Sequence, residues 1–252
     1  MVDKILYVRR LKHMGKVKLK DAIVASIENG DRLVEDAQTL LELERFPTTY
    51  ALAVLAQEEY AKALLLGLVE AGAIPWSNDV QRALRDHVCK QLVSVILDYL
   101  SPDTDEFLRR YDLSKIGEEK PVFPSDVLDA INVICHERIP RKRDRWWIDP
   151  SDRPLATTVD AIADGRLESR KQDATYVRLG KTAQVVSRPS QVSPILSKAE
   201  VERSERIGRQ LRPYDRAPGL PSDLDTEKLV ALFRLLTGRL SPEEYSAYWW
   251  AK

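Results

Sequence analysis

The sequence predicts an all-α fold, built as a bundle of helices. Three stretches, 21–45, 50–69 and 77–100, carry apolar residues at steps of three and four, which is the spacing of one buried helical stripe. No run alternates apolar and polar residues convincingly enough to predict a sheet. Short breaks that contain proline or glycine separate the three stretches, and such connections favour antiparallel neighbours in a bundle.

The composition limits the classes of protein to which the chain can belong. Apolar residues make up 44% of 252 residues, enough for a buried core, and the charges cancel at 39 of each sign. This balance argues against a histone-like or ribosomal role, although local basic patches remain compatible with it. Two cysteines do not make a secreted disulfide scaffold. Without a signal peptide or an apolar membrane span, we expect a soluble, cytoplasmic protein with no membrane partner.

The first two predicted helices follow a basic beginning. Residues 1–20 carry seven Lys or Arg and one Asp, and we interpret them as a basic N-terminal lead-in with at most one short element. Asp21 opens the first helix. The second begins at Pro47, since proline is tolerated in a first turn, and ends before Gly72 and Pro75. This second helix is apolar nearly all round, which is typical of a central helix.

The later elements are predicted from caps and breaks. Ser77 is suited to cap a third helix that extends to about Leu100. After a polar connection, Ser125 opens a fourth helix that Pro140 interrupts. The rest of the chain is predicted to contain a helix over 158–176, an irregular or briefly extended segment over 180–194, a charged helix over 197–211, a linker over 212–222, and two short helices over 223–237 and after 242.

Charged residues on the apolar second helix are the first candidate site. Glu58, Glu59 and Lys62 lie there, and Glu58 with Lys62 could form an ordinary surface salt bridge worth ~0.2–0.5 kcal/mol. If neighbouring helices crowd these charges, however, they must find partners. The third helix supplies His87 and Lys90 for that purpose. A polar cluster between the second and third helices would then form the site or hold its shape.

The same stretch of sequence resembles the AbiV branch of the HEPN superfamily. The resemblance rests on Asp36-Ala37, on RFPTTYALAVLAQEEYAKALLL (45–66), on the His87 and Lys90 of the third helix, and on KQDATYVRLG (171–180). It covers about residues 20–195. It implies an HEPN-like helical domain over 21–195, a homodimer, and an anti-phage abortive-infection role in bacteria. Residues 196–252, outside the resemblance, are predicted to form a C-terminal helical extension.

The resemblance also implies a chemistry. Many HEPN proteins are metal-independent ribonucleases that use an Arg, four to six residues, and then a His, and Arg82 with His87 matches this spacing. His87 would be the general acid/base and Arg82 the phosphate stabiliser, with Glu58, Glu59, Lys62 and Lys90 in support and no cofactor. The chain departs from the pattern at Ala83, where the family carries a polar residue. Alternatively, Arg82, Asp86 and Lys90, four residues apart, could form a surface ion-pair ladder.

A basic, aromatic run is the candidate RNA-binding segment. Cations can hold phosphates, and tryptophans can stack on unpaired bases. The run consists of Arg141, Lys142, Arg143, Arg145, Trp146 and Trp147. The alternative interpretation is a solvated helix end followed by two tryptophans of the core.

Two further groups of residues carry less specific signals. His87, Cys89, Cys135 and His136 do not have a standard zinc-finger spacing, so no metal site is predicted. The terminal aromatic residues, 248–250, dock either onto the body or onto a partner. The sequence therefore leaves three functions open: an effector that damages RNA or blocks translation, a catalytically inactive module that binds a phage or host protein, and a regulator that binds nucleic acid through residues 141–147.

Overall fold

The computed structural model describes residues 2–99, 129–131, 133, 134, 138, 157–189 and 192–211, with side chains for all of these except 2–17, 99 and 157. Its elements are α1 (Val2–Glu42), α2 (Phe46–Glu70), α3 (Asn78–Ala83), α4 (His87–Tyr99), α5 (Thr157–Ala163), α6 (Arg166–Thr175), β1 (Arg178–Leu179), β2 (Val185–Ser187) and α7 (Pro194–Leu211). The described chain is mostly helical, which confirms the all-α prediction. None of its helices is long and apolar enough to cross a bilayer.

Helices α1 and α2 form an antiparallel pair. Lys20 and Glu70 make an ion pair of 3.6 Å, and nearer the connecting turn the Tyr60 hydroxyl donates to Asp31 at 2.7 Å. Helix α1 starts at Val2, well before the predicted start at Asp21. Lysine and arginine are good helix formers, so the basic lead-in continues the helix instead of preceding it.

Helix α7 runs parallel to α2 and is part of the helical body. The Ser197 hydroxyl donates to the carbonyl of Phe46 at 2.8 Å, and the Ser204 hydroxyl donates to that of Ala53 at 2.9 Å. Both pairs are 151 residues apart in sequence, so the two helices advance in the same direction. The apolar face of α7 is buried at Val201, Ile207 and Leu211. The division of the chain into domains at residue 195 stays a prediction.

Tyr60 fixes how closely α1 and α7 approach α2. Its fully buried ring lies between Gly30 on α1 and Gly208 on α7. A Cβ atom at Gly30 would lie 2.5 Å from the Cε1 atom of Tyr60, and one at Gly208 would lie 2.5 Å from its hydroxyl oxygen. Only glycine leaves room for the tyrosine at both positions, because real Cβ atoms do not come so near.

The prediction of one continuous third helix is wrong. The chain forms α3 and α4, and residues 84–86 lie between them. Asp86 explains the break, because its carboxylate accepts the backbone N–H of Cys89 at 3.0 Å, as an N-cap residue does. Ser77 caps α3 as predicted, accepting from the N–H of Val80 at 3.2 Å. The break means that Arg82 and His87 do not share one ideal helix.

The helix predicted over 158–176 is also divided. Gly165 separates α5 from α6 and has a φ of 77°, a left-handed conformation that favours glycine. After α6, strands β1 and β2 pair antiparallel in a short ribbon with a bulge, although no sheet was predicted. Helix α7 begins at Pro194, three residues before the predicted start, and proline suits a first turn.

Several predicted features lie outside the described residues. They are the connection over 101–124, Cys135 and His136, the candidate RNA-binding residues Arg141, Lys142, Arg143, Arg145 and Trp146 with Trp147, the elements over 212–252, and the aromatic residues 248–250. Part of the predicted fourth helix is described. Ala130, Ile131, Val133 and Ile134 are buried in the main core.

Candidate active site

The site is built around a carboxylate that α2 carries into the interior. Helix α2 is apolar on most of its surface, so α1, α4, α6 and α7 all pack against it. The Glu58 side chain is consequently only 1% exposed. An ionised carboxylate in such a place is costly unless hydrogen bonds and opposite charges surround it.

Four side chains contact the two oxygens of Glu58. Lys171 Nζ and Gln91 Nε2 donate to Oε1 at 2.7 and 3.0 Å. His87 Nδ1 lies 2.6 Å from Oε2, and Lys90 Nζ lies 3.0 Å from the same oxygen. Since a carboxylate has about four lone-pair positions, its capacity as an acceptor is filled. Residues from α4 and α6 are thus held at one point on α2.

A second carboxylate, Glu168 on α6, extends the cluster. Its Oε2 atom accepts from Lys171 Nζ at 2.6 Å and from Gln91 Nε2 at 3.1 Å, and lies 3.9 Å from His87 Nδ1. Lys171 thereby bridges Glu58 and Glu168 with a side chain that is only 8% exposed. The two carboxylates and the two buried lysines, Lys90 and Lys171, balance in charge.

The environment of Glu58 keeps it ionised. Burial by itself raises the pKa of this carboxyl group, and that is the largest single effect. The charges of Lys90 and Lys171, the hydrogen bond from Lys171, and the proximity of His87 together outweigh burial. The pKa of Glu58 therefore lies below its usual range, and the group is an anion at neutral pH.

The contacts of His87 define which ring nitrogen carries the proton. Nδ1 is 2.6 Å from Oε2 of ionised Glu58, which can only accept, so we assign the hydrogen to Nδ1. Lys171 Nζ is also 3.0 Å from Nδ1, but the contact with Glu58 is the shorter of the two and decides the assignment. In this tautomer the ring's lone pair is on Nε2. The His87 side chain is 46% exposed, so the imidazole reaches the surface while its partner Glu58 is buried.

The cluster also contains a set of atoms that could ligate a metal ion. Glu58, His87 and Glu168 each offer one ligand atom, and these atoms lie within 4.8 Å of one another. Lys171 Nζ contacts all three residues at 3.0 Å or less. The ammonium group supplies the positive charge at the place where a cation would bind, so a metal ion would have to displace it.

The structure brings some of the predicted site residues together and leaves others apart. His87 and Lys90 both contact Glu58, as the predicted polar cluster requires. Glu59 and Lys62 instead pair with each other at 2.7 Å and are not part of the cluster. The alternative salt bridge between Glu58 and Lys62 is therefore wrong, because each has another partner.

Arg82 lies apart from this cluster. Its guanidinium pairs with Asp79 on α3 at 3.1 Å, and Arg82 is not among the described contacts of Glu58 or His87. The alternative ion-pair ladder is wrong, since Lys90 pairs with Glu58 and Asp86 pairs with Arg138 at 3.6 Å. Catalytic roles for Arg82 and His87 stay predictions.

Sequence reasoning missed Gln91, Glu168 and Lys171. Gln91 could have been found, because it lies four residues after His87 and next to Lys90 on the same helix. Lys171 is 113 residues from Glu58, and no spacing rule joins such distant segments. The signal that pointed towards it was the resemblance of the fragment 171–180.

Comparison with known families agrees with this architecture. The AbiV family model of the HEPN group matches residues 18–209, which include every element of the cluster. The chain belongs to the AbiV family of HEPN proteins. Membership implies a function of the abortive-infection, HEPN type. No curated protein and no solved structure matches the AbiV-family chain.

Proposed function

We propose that this AbiV-family protein is a metal-independent endoribonuclease of abortive infection, with His87 as the general acid/base. The observation that carries the proposal is the 2.6 Å contact between His87 Nδ1 and buried Glu58. A histidine that is oriented by a carboxylate and has a partly exposed side chain is a recurrent arrangement for proton transfer. Glu58 acts through His87 and is therefore a positioning residue.

The reaction needs only groups that the chain supplies. His87 Nε2 takes the proton of an RNA 2′-hydroxyl while that oxygen attacks the adjacent phosphorus. The bond from phosphorus to the 5′-oxygen breaks, and the imidazolium returns the proton to this leaving group. A 2′,3′-cyclic phosphate and a 5′-hydroxyl result. Glu58 stabilises the imidazolium between the two transfers, and the requirement for a 2′-hydroxyl makes the activity specific for RNA.

The test is cleavage of total RNA by the purified full-length chain in EDTA. We expect cyclic-phosphate products from the wild type and a loss of about 10²–10⁴-fold in His87→Ala, the range for removal of a general acid/base. Glu58→Gln should lose activity in the same direction. Glu59→Gln is the matched control. Glu59 is next to Glu58 in sequence, and among the described contacts its carboxylate pairs only with Lys62. Undiminished cleavage by His87→Ala would exclude this site.

A second candidate function, binding of a phage or host protein or of a second copy, is supported by the ribbon. Its exposed apolar residues form an unusual concentration on the described surface, and such patches mark contact sites. They are Tyr176, Val177, Leu179, Val185 and Val186. The test measures phage resistance in cells that produce each variant. If His87→Ala keeps full resistance while Leu179→Asp loses it, binding and not cleavage is the function.

A further inference from the structure

Most cations around His87 are already committed to acceptors within the protein. Lys90 and Lys171 are each 8% exposed and bind Glu58. Arg138 donates to the carbonyl of Ala163 at 2.8 Å and pairs with Asp86. A ribonuclease site needs a cation that can hold the phosphate in front of the base, and these three are occupied.

The arginine predicted from motif spacing has an ion-pair partner within its own helix. Arg82 pairs with Asp79, and its side chain is 34% exposed. Because the helix breaks after Ala83, the five-residue spacing from Arg82 to His87 does not describe one helical surface. Arg85 is closer to His87 in sequence.

Among the described residues, Arg85 is an exposed cation close to His87 in sequence. It lies in the turn between α3 and α4, two residues before His87, so their Cα atoms are at most about 7 Å apart. In the described part of the chain, its guanidinium has no hydrogen bond or ion pair. The turn itself is fixed, since the N–H groups of Arg85 and Asp86 donate to the carbonyl of Arg82 at 3.0 and 3.1 Å.

We infer that Arg85 is a phosphate-binding residue of the site, which places the scissile phosphodiester of single-stranded RNA in front of His87. The inference rests on the proposed ribonuclease function. A guanidinium can donate two parallel hydrogen bonds to phosphate oxygens, and these strengthen as negative charge develops on them. Asp86 holds the start of α4 through its cap, so Arg85 and His87 are presented from one ordered turn.

The experiment compares Arg85→Gln, Arg85→Lys and Arg82→Gln in the full-length chain. Arg45→Gln is the matched control, because Arg45 is also an exposed arginine just before a helix, and α2 separates it from Glu58 by about 20 Å. Cleavage of a single-stranded RNA is measured as kcat and KM. Binding is measured separately with a fluorescein-labelled 2′-O-methyl 12-mer, which lacks the nucleophile and cannot be cleaved.

We expect Arg85→Gln to lower kcat/KM about 10- to 100-fold, with Arg85→Lys intermediate because the point charge remains. The slope of log affinity against log salt should fall by about 0.7 in Arg85→Gln, the value for one lost contact to a single strand. Unchanged binding and cleavage in Arg85→Gln overturn the inference, as does an effect confined to Arg82→Gln. If the wild type cleaves nothing, the ribonuclease proposal fails, and the salt slope alone decides whether Arg85 binds phosphate.

Discussion

Glu58 is the residue on which the candidate site depends. Three helices contribute to the cluster, and their polar side chains meet at its two oxygens. Removing the carboxylate charge leaves Lys90 and Lys171 buried without it, which is more costly than losing a surface pair. The stability of the fold and the orientation of His87 are therefore coupled through one side chain.

This coupling predicts a pH-dependent stability. The pKa of Glu58 is lowered in the folded chain and is about 4.3 in the unfolded one, so the unfolded chain takes up the proton first as pH falls. The stabilisation is complete above pH ~4.3 and is lost as pH falls through the lower folded-state value. We expect Glu58→Gln to cost about 3 kcal/mol at pH 7 and progressively less below pH ~4, measured by urea unfolding.

The matched control for that measurement is Glu59→Gln. Glu59 is the next residue on the same helix, and its pair with Lys62 is partly exposed. Pairs of this kind contribute less than about 1 kcal/mol. A difference between Glu58→Gln and wild type that stays constant from pH 7 to pH 3 would contradict the assigned ionisation.

At the level of the helices, Tyr60 determines the packing of α1 and α7 on α2. We expect Gly208→Ala to cost about 2 kcal/mol in chemical unfolding, because the new methyl group would overlap the tyrosine hydroxyl. Tyr60→Phe removes that oxygen but keeps Cζ, which lies 2.8 Å from the new methyl group, so it should rescue Gly208→Ala only in part in a double-mutant cycle. Tyr60→Phe removes the hydrogen bond to Asp31 both in the protein with Gly208 and in Gly208→Ala, so this loss cancels from the coupling energy.

Gly30→Ala provides the contrast. The atoms nearest its new methyl group are the ring carbons Cε1 and Cδ1 of Tyr60, which phenylalanine retains. Tyr60→Phe should therefore leave the cost of Gly30→Ala unchanged. Equal rescue at both glycines would show that the hydroxyl is not the atom that makes the contact at Gly208.

The sequence predicted the long helices well and their interruptions poorly. Apolar periodicity identified α2 as a central helix, because that signal is summed over many residues. The breaks at Asp86 and Gly165 depend on single residues, and a cap or a left-handed glycine can also occur where a helix merely ends. In the site, His87 and Lys90 were predicted beside α2 since they lie on the next segment. Lys171 was not, because its proximity to Glu58 arises only from tertiary packing.

At the scale of the whole molecule, α2 is the best-protected element of the described structure. Helices α1, α4, α6 and α7 all pack on it, whereas the ribbon exposes most of its residues. Local opening is easiest where few buried contacts must be broken. We expect the amides of residues 53–66 to be among the slowest in native-state hydrogen exchange and those of 178–187 to exchange fastest. Exchange of both at similar rates would contradict this order.

The 113-residue separation between Glu58 and Lys171 has a consequence for synthesis on the ribosome. Both α2 and the start of α4 leave the exit tunnel long before α6 has been translated. Until then, the buried acid lacks one of its two lysines, and a nascent chain that stops short of residue 166 contains neither Lys171 nor Glu168. The complete Glu58 cluster can therefore assemble only after most of the polypeptide has been synthesised.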